Sequence, residues 1–355
     1  MIETKDLAIY YHNLGVALRM AQRPKGAILS FSRALSLMPD LAAARIALGM
    51  AQLSVGDMPE GWSGLVWGWE VLSSPSAVPR WCGEPAEGRT LLIVADELGF
   101  GDVLQFCRYV PLAARHFQSV IVKAPDALIR LLRLSFPAVE VQPPGEAIGD
   151  MYCPTLCLPR VFGTTLDTVP ADVPYLYADP AQVEAWRQRL AAFEGLKIGL
   201  CWAGNPRSHI PSCEATDRRR SIAPERLAAL VAQAGCHFFS LQKTPPFAPD
   251  SFGLTDYMPG MQDFADTAAL VSNLDLVISV DSAIAHLAAG LGRSVWLLDR
   301  FDCCWRWLLD RTDSPWYPTL QIYRQSKPGD WDGVLSGVRR DLAVLADAAE
   351  TARAA

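Results

Sequence analysis

The stretch Leu276-Val-Ile-Ser-Val280, followed by Asp281-Ser-Ala-Ile-Ala-His286, decides the fold. The first five residues are apolar except for one serine, which is typical of a buried parallel strand. The chain then turns through Asp281 and Ser282 into a helix that we predict over residues 284–290. Such a turn points backbone N–H groups and the positive end of a helix dipole at one spot. Anionic diphosphates bind at such spots, outside the carboxyl ends of the strands of an open α/β sheet.

A similar strand-loop-helix element occurs earlier in the chain. An apolar strand predicted over residues 90–95 runs into Gly99-Phe-Gly-Asp102, and a helix follows. Further strands and helices alternate after each element, which predicts parallel sheets. The sequence therefore predicts an α/β protein with a pair of Rossmann-type domains and a cleft between them. In such a cleft an enzyme can bring a nucleotide-activated donor to an acceptor.

The N-terminal part is helical and repeats with a period of about 34 residues. Its first copy fits the tetratricopeptide (TPR) pattern at Tyr11, Leu14, Gly15, Leu18, Ala27, Phe31, Ala34 and Pro39, and a degenerate copy begins at Leu48-Gly49. Fewer than three repeats cannot close a solenoid core, so this region must pack on the downstream domain, a second subunit or a client protein. It is either a stabilising helical cap or a module that docks a protein.

These signals divide the chain. We predict a TPR-like helical region over 1–72, a linker over 73–89, an N-terminal Rossmann-like (acceptor) domain over 90–178, a linker helix over 179–195, a C-terminal Rossmann-like (donor) domain over 196–325 and a C-terminal helix over 326–355. The last helix, centred on residues 329–348, can cross back onto the first domain.

Composition excludes several classes of protein. The chain has 355 residues, 50% hydrophobic and 20% charged, which fits two or three globular domains. A net charge of −6 argues against nucleic-acid binding. The N-terminus lacks the features of a signal peptide, and no apolar run approaches the roughly 20 residues that span a bilayer. We therefore expect a cytoplasmic protein without a membrane span. The nine cysteines lack metal-ligand spacing, so we expect reduced thiols and no metal site.

Three groups of residues can carry chemistry. Asp102 stands near the start of a helix, where it either caps the helix or accepts a proton from a sugar hydroxyl as general base. His286 lies one turn after Ser282 and either packs in the core or reaches a phosphate or ribose. Cations come third: an Arg run in Asp217-Arg-Arg-Arg-Ser221, read as a polar loop, and Lys243 after a predicted strand. They are either a solvated cluster or the charges that stabilise a departing diphosphate.

The ordered set of motifs resembles the bacterial TPR-containing glycosyltransferases related to the family 9 heptosyltransferases and, more distantly, to the O-GlcNAc transferases. The motifs include the Gly-x-Gly-Asp loop with Gln105 and Arg108, the strand-loop from Gly199 to Pro206, Ser240-Leu-Gln-Lys243, Asp281-Ser-Ala-x-Ala-His286 and Trp305-Arg-Trp307. The resemblance implies a GT-B fold and inverting transfer without a metal or other cofactor, from a nucleotide-sugar donor.

The resemblance also implies site roles. Asp102 matches the position of a general base. The expected donor-binding residues are Asn205, Arg220, Ser221, Gln242, Lys243, Asp281, Ser282, Ala283 and His286, and the expected acceptor-side residues are Gly99, Gly101, Gln105 and Arg108. The chain departs from the usual pattern at Asp96-Glu-Leu98, at Cys304 and in a longer loop over 208–216.

Three hypotheses follow. The leading one is a transferase whose acceptor is a protein docked by the TPR-like region, with a homo-oligomer possible. The second keeps the enzyme class and makes the acceptor a saccharide, as in lipopolysaccharide assembly. The third is a non-catalytic TPR scaffold on a degenerate transferase domain.

Overall fold

The computed structural model describes residues 3–72, 78–207 and 211–354. The helical region comes first and contains α1 (Thr4–Met20), α2 (Pro24–Leu37), α3 (Ala42–Ser54) and α4 (Met58–Leu72). Across the described ranges, no helix combines the length and the apolar character that crossing a membrane requires.

The helices of this region form two hairpins with close contacts at small residues. A Cβ added to Gly15 would lie 2.6 Å from the ring of Phe31, so α1 and α2 approach closely there. At the α3–α4 contact, a Cβ on Gly49 would lie 2.7 Å from the carbonyl oxygen of Gly61. Real Cβ atoms do not tolerate such separations, so glycine allows both hairpins to close.

The first α/β domain follows. It contains β1 (Thr90–Val94), α5 (Phe100–Phe106), α6 (Val110–Ala114), β2 (Ser119–Lys123), α7 (Asp126–Ser135), β3 (Glu140–Gln142), β4 (Met151–Pro154) and α8 (Leu158–Val161). The sheet is parallel with strand order β3-β2-β1-β4. Sequence reading missed β4 because its Cys and Pro residues give no strand signal, although it pairs with β1 along its whole length.

The linker helix α9 (Pro180–Leu190), capped by Asp179, leads to the second α/β domain. This domain contains β5 (Leu196–Cys201), α10 (Pro211–Arg220), α11 (Ala228–Val231), β6 (Cys236–Ser240), β7 (Thr255–Asp256), α12 (Phe264–Val271), β8 (Leu276–Val280), α13 (Ala283–Gly290), β9 (Val295–Asp299), β10 (Leu320–Arg324) and α14 (Trp331–Ala354). Its parallel sheet has the order β10-β9-β8-β5-β6-β7. The expected pair of Rossmann-like domains after a helical region is confirmed.

Two local expectations were wrong. The Arg run at 218–220 ends helix α10 and is not in a loop. The C-terminal helix α14 packs on the second domain and does not cross to the first. Its apolar residues Trp331, Val334, Leu335, Val338 and Leu342 recur at helical spacing and share a buried cluster with β5 and β8.

The helical region packs on both α/β domains. Trp62 of α4 is 1% exposed and lies edge-on to Phe106 of the first domain and to Trp305 and Trp316 of the second. Its indole N–H donates to the carbonyl of Thr164 at 2.9 Å. The sequence analysis predicted that the helical region packs on the downstream domain, a second subunit or a client protein. In the structure it packs on the downstream domains.

Candidate functional site

The two turns that the sequence analysis singled out face each other across the domain boundary. Gly99 caps α5 and Ser282 caps α13. A Cβ added to Gly101 would lie 3.0 Å from His286 Cδ2 and 3.7 Å from the Cα of Ala283. Glycine at 101 therefore lets the start of α5 approach α13. The two turns therefore meet at the domain boundary and bring residues of both domains within contact distance.

Asp102 projects into this cleft. Asp102 does not cap α5, because the N-cap residue is Gly99 and no side chain supplies a capping hydrogen bond. Its carboxylate instead pairs with the guanidinium of Arg306, from the loop after β9. The Asp102 side chain is 32% exposed and that of Arg306 only 12%, so solvent reaches the carboxylate more readily than its partner. A carboxylate that is paired yet accessible to solvent fits the role of general base better than the role of helix cap.

Arg306 itself is held on several sides. Its guanidinium donates to the side-chain oxygen of Gln105 and, at 3.1 Å, to Cys304 Sγ, and it lies 4.5 Å from the centre of the Trp305 ring. Burial disfavours the charged form, but Asp102, Cys304 and Asp281 together outweigh it and raise the pKa of Arg306 above its ordinary value. The residue is therefore a fixed positive charge at the domain boundary.

The start of α13 forms the opposite wall. Ser282 Oγ accepts from the backbone N–H of Ile284 at 3.2 Å and lies 3.0 Å from Ser279 Oγ. Burial alone would raise the pKa of Asp281, yet the surrounding charges, Arg300 foremost and Arg220 and Arg306 among them, lower it. Several cations thus converge on one helix N-terminus, an arrangement that favours anions.

His286 is packed in the domain interface and is 4% exposed. Its Nδ1 lies 2.8 Å from the Tyr317 hydroxyl, and its ring stacks on Trp307 with centroids 5.4 Å apart. Burial lowers the pKa of His286 to about 3, despite the opposing carboxylate of Asp281. The imidazole is therefore neutral at physiological pH, and its edge faces Gly101. Of the two readings of this histidine, the structure shows the packed one.

The lowered pKa of His286 predicts a pH-dependent stability. In the unfolded chain His286 binds a proton near pH 6.5, whereas in the folded chain it does so only near pH 3. The free energy of unfolding therefore falls as the pH drops through this window. We expect a contribution of about 2 kcal/mol to be lost between pH 8 and pH 5. Urea unfolding of the wild type and of His286→Asn at both pH values measures it. Between pH 8 and pH 5, the free energy of unfolding of His286→Asn should fall less than that of the wild type, by the amount that His286 contributes. The free energy of unfolding of His237→Asn, a change at a half-buried histidine, should fall nearly as much as that of the wild type. Equal losses in wild type and His286→Asn would contradict the prediction.

Arg220, Ser221 and Asn205 lie together beside Asp281. Arg220 is oriented by Asp217 at 2.9 Å and donates to the carbonyl oxygens of Asp281 at 3.1 Å and Asn205 at 3.4 Å. Ser221 Oγ accepts from the backbone N–H of Gly204 at 3.2 Å. The end of α10 thus connects the loop after β5 to the start of α13, which brings these expected donor residues to one place.

Gln242 and Lys243 are engaged elsewhere. Gln242 is 2% exposed, accepts from the backbone N–H groups of Trp202 and Ala203 and donates to the carbonyl of Thr244 at 2.8 Å, so it braces the loop after β5. Lys243 follows β6 as expected, but its ammonium donates to the carbonyls of Met258 and Met261 at 2.8 and 2.6 Å. For a donor to use Lys243, it would have to replace these bonds.

Two expected acceptor-side residues are inside the protein. Gln105 is fully buried, and Arg108 is 4% exposed. Arg108 donates to the carbonyls of Gln105 and Trp316 at 2.8 and 2.7 Å and to the Tyr175 hydroxyl at 2.9 Å. An acceptor cannot contact either side chain in this conformation, so that expectation is corrected: Arg108 joins the two domains to the segment between them.

Sequence reasoning missed two cations of the site. Arg300 follows β9 and interacts with Asp281 and Asp302, and Arg306 pairs with Asp102. The Trp305-Arg-Trp307 motif entered the sequence analysis only as part of the family resemblance, without a role for Arg306 in an ion pair. A cation directly after a strand that neighbours β8 was the available signal, because neighbouring parallel strands end at the same edge. Of the departures, Cys304 contacts Arg306, and residues 208–210 lie outside the described residues.

Known proteins show what the chain is similar to. Residues 257–296, which include α12, β8 and α13, match glycosyltransferase family 9 (heptosyltransferase). The protein FlbA of Caulobacter vibrioides is 27% identical over 348 residues, an alignment that covers 84% of this chain and 54% of FlbA. The chain therefore spans about half the length of the curated relative it matches.

One solved structure shares the fold. The E. coli ADP-heptose lps heptosyltransferase II superimposes with a TM-score of 0.50 and 14% identity, over 74% of this chain and 99% of that one. An O-GlcNAc transferase from Thermobaculum terrenum aligns over 96% of this chain and 78% of its own, with 15% identity and a TM-score of 0.34. The resemblance to family 9 glycosyltransferases and the GT-B-like fold inferred from the sequence are confirmed.

Proposed function

We propose that the chain is an inverting, metal-independent glycosyltransferase that moves a sugar from a nucleotide-sugar donor to a hydroxyl group, in the cytoplasm. One observation carries the proposal: the turn that holds Asp102 meets the start of α13 at the boundary between the two α/β domains. The match to family 9 over residues 257–296 supports the same class of reaction. In this arrangement a base is held opposite a site for a diphosphate.

The reaction can be written with named groups. The donor diphosphate binds at the α13 N-terminus, where the Ser282 cap, Arg220 and Arg300 supply N–H groups and positive charge. The acceptor hydroxyl oxygen attacks the anomeric carbon, and its proton passes to the Asp102 carboxylate. The bond between that carbon and the diphosphate oxygen breaks, and a nucleoside diphosphate anion leaves. The guanidinium groups stabilise the charge that develops on it.

A panel of nucleotide sugars tests the proposal directly. Isothermal titration should show binding of one of them, and we place ADP-heptose first, since the family that matches residues 257–296 is described as heptosyltransferase. Release of nucleoside diphosphate with an acceptor present should follow. A non-catalytic scaffold predicts neither binding nor release with any member of the panel, and that result would overturn the proposal.

The donor site yields a prediction at Arg220. Replacement by Met removes a charge near the proposed diphosphate, and charged hydrogen bonds are worth about 1.5–3 kcal/mol, so we expect the donor Kd to rise about 10- to 100-fold. Arg218 is the matched control, because it lies on the same helix and is exposed. Calorimetry on both variants measures the difference. If Arg220→Met binds the donor as tightly as Arg218→Met does, Arg220 has no part in the donor site.

For the acceptor, we propose a protein that the helical region docks. This region packs beside the site through Trp62 and Trp305 and exposes large apolar side chains at Ile9 (40%), Tyr10 (59%) and Leu29 (72%). The saccharide alternative has one observation in its favour, the heptosyltransferase description of the matched family. Replacing Ile9, Tyr10 and Leu29 with Ser separates them. A protein acceptor predicts a raised acceptor KM with an unchanged donor Kd, whereas a saccharide acceptor predicts no change in either.

A further inference from the structure

Arg306 connects the two α/β domains at the proposed site. It belongs to the second domain, yet its guanidinium contacts Asp102 and Gln105 of the first. Its Cζ lies 4.5 Å from the centre of the Trp305 ring and 5.8 Å from that of the Phe106 ring, so two aromatic rings pack beside the guanidinium. The fork of donors is therefore held in one orientation at the cleft.

The residue also acts on the opposite wall. Its charge is among those that lower the pKa of Asp281 at the α13 N-terminus. One guanidinium thus interacts both with the carboxylate that would take the proton and with Asp281 at the proposed diphosphate site. The side-chain oxygen of Gln105 accepts a hydrogen bond from the Arg306 guanidinium, whereas the amide nitrogen of Gln105 is buried without a hydrogen-bond partner.

We propose that Arg306 is a positioning residue for Asp102: it holds the carboxylate toward the acceptor side of the closed cleft and ties its orientation to closure of the domains. This inference rests on the proposed function. The pair forms only when the two domains meet, because its members lie on different domains. The carboxylate is consequently held in place where the two domains are in contact.

The competing view makes Arg306 a structural bridge between the domains. A bridge and a positioning residue differ in how their loss combines with loss of Asp102. If Arg306 acts through Asp102, replacing Arg306 should lower kcat little further in a variant that already lacks the Asp102 carboxylate, so the two effects overlap. If it only stabilises the interface, the two losses multiply.

The test is a double-variant cycle on the full chain. We expect Arg306→Met to lower kcat about 10²- to 10³-fold, with the donor KM changed far less, and Arg306→Lys to recover part of the loss. Asp102→Asn/Arg306→Met should be no slower than Asp102→Asn alone. Arg311→Met is the matched control: Arg311 lies on the following segment, pairs with Asp313 and should leave kcat unchanged. A double variant that is slower by the product of the single effects overturns the inference.

A second cycle needs no activity and keeps the two proposals apart. Thermal unfolding of Asp102→Ala, Arg306→Met and their double variant without donor should show overlapping losses in Tm, because either single change removes the Asp102–Arg306 pair. Overlap in Tm with no turnover on any nucleotide sugar would mean that the pair exists and that the proposed function is wrong. Turnover with multiplying losses in kcat would leave the function standing and remove the role of Arg306.

Discussion

Replacing Asp102 with Asn is expected to lower turnover by about 10²–10⁴-fold while leaving the donor Kd nearly unchanged. The amide keeps the size of the carboxylate and can still accept from Arg306, so the interface should hold. What it loses is the capacity to take the acceptor proton as the new glycosidic bond forms. Donor binding lies on the other wall of the cleft, at the α13 N-terminus, and so it should not change.

The measurement pairs steady-state turnover with calorimetry on the same preparation. Asp126→Asn serves as control, since Asp126 is an exposed carboxylate at the start of α7 in the same domain. An Asp102→Asn enzyme with wild-type kcat would remove Asp102 from the mechanism and with it the proposed roles of the cleft. Loss of donor binding together with kcat would indicate a distorted interface instead.

The parts of this site that the sequence could supply are those with local signals. An apolar run such as 276–280, followed by a polar turn and a helix, specifies its own structure because strand burial, capping and helix start are all encoded within a dozen residues. The same holds for β1 and the Gly99 turn. The meeting of the two turns also followed, because carboxyl ends of parallel strands collect functional groups.

What could not be predicted depends on contacts between distant segments. Arg306 and Asp102 are 204 positions apart, and nothing in either neighbourhood signals the other. Arg108 looked accessible because it follows a cleft loop, yet the turn of the short helix after α5 directs it inward onto Tyr175 and Trp316. Orientation about a helix axis is decided by packing, and packing against a second domain leaves no trace in the local spacing.

Replacing Trp62 with Ala is expected to have the largest effect on stability, lowering the free energy of unfolding by about 3–5 kcal/mol. The side chain is 1% exposed and contacts aromatic rings of both α/β domains. Its indole N–H donates to the carbonyl of Thr164, so its removal would leave that buried carbonyl without its partner. Neighbouring rings cannot collapse into so large a space without giving up their own edge-on contacts. The cost therefore spreads beyond α4.

Urea unfolding measures this loss, and Trp67→Ala is the matched control. Trp67 lies on the same helix but is half-buried, with Arg45 4.2 Å from its ring centre, so its removal should cost far less. Because Trp62 contacts Trp305, the neighbour of Arg306, the Trp62 variant should also lose turnover in folded protein, whereas Trp67→Ala should keep it. Equal losses of stability for the two variants would mean that the helical region does not share a core with the two α/β domains. In that case the helices would be an independent module, and any effect of a docked partner on the cleft would have to travel through the linker.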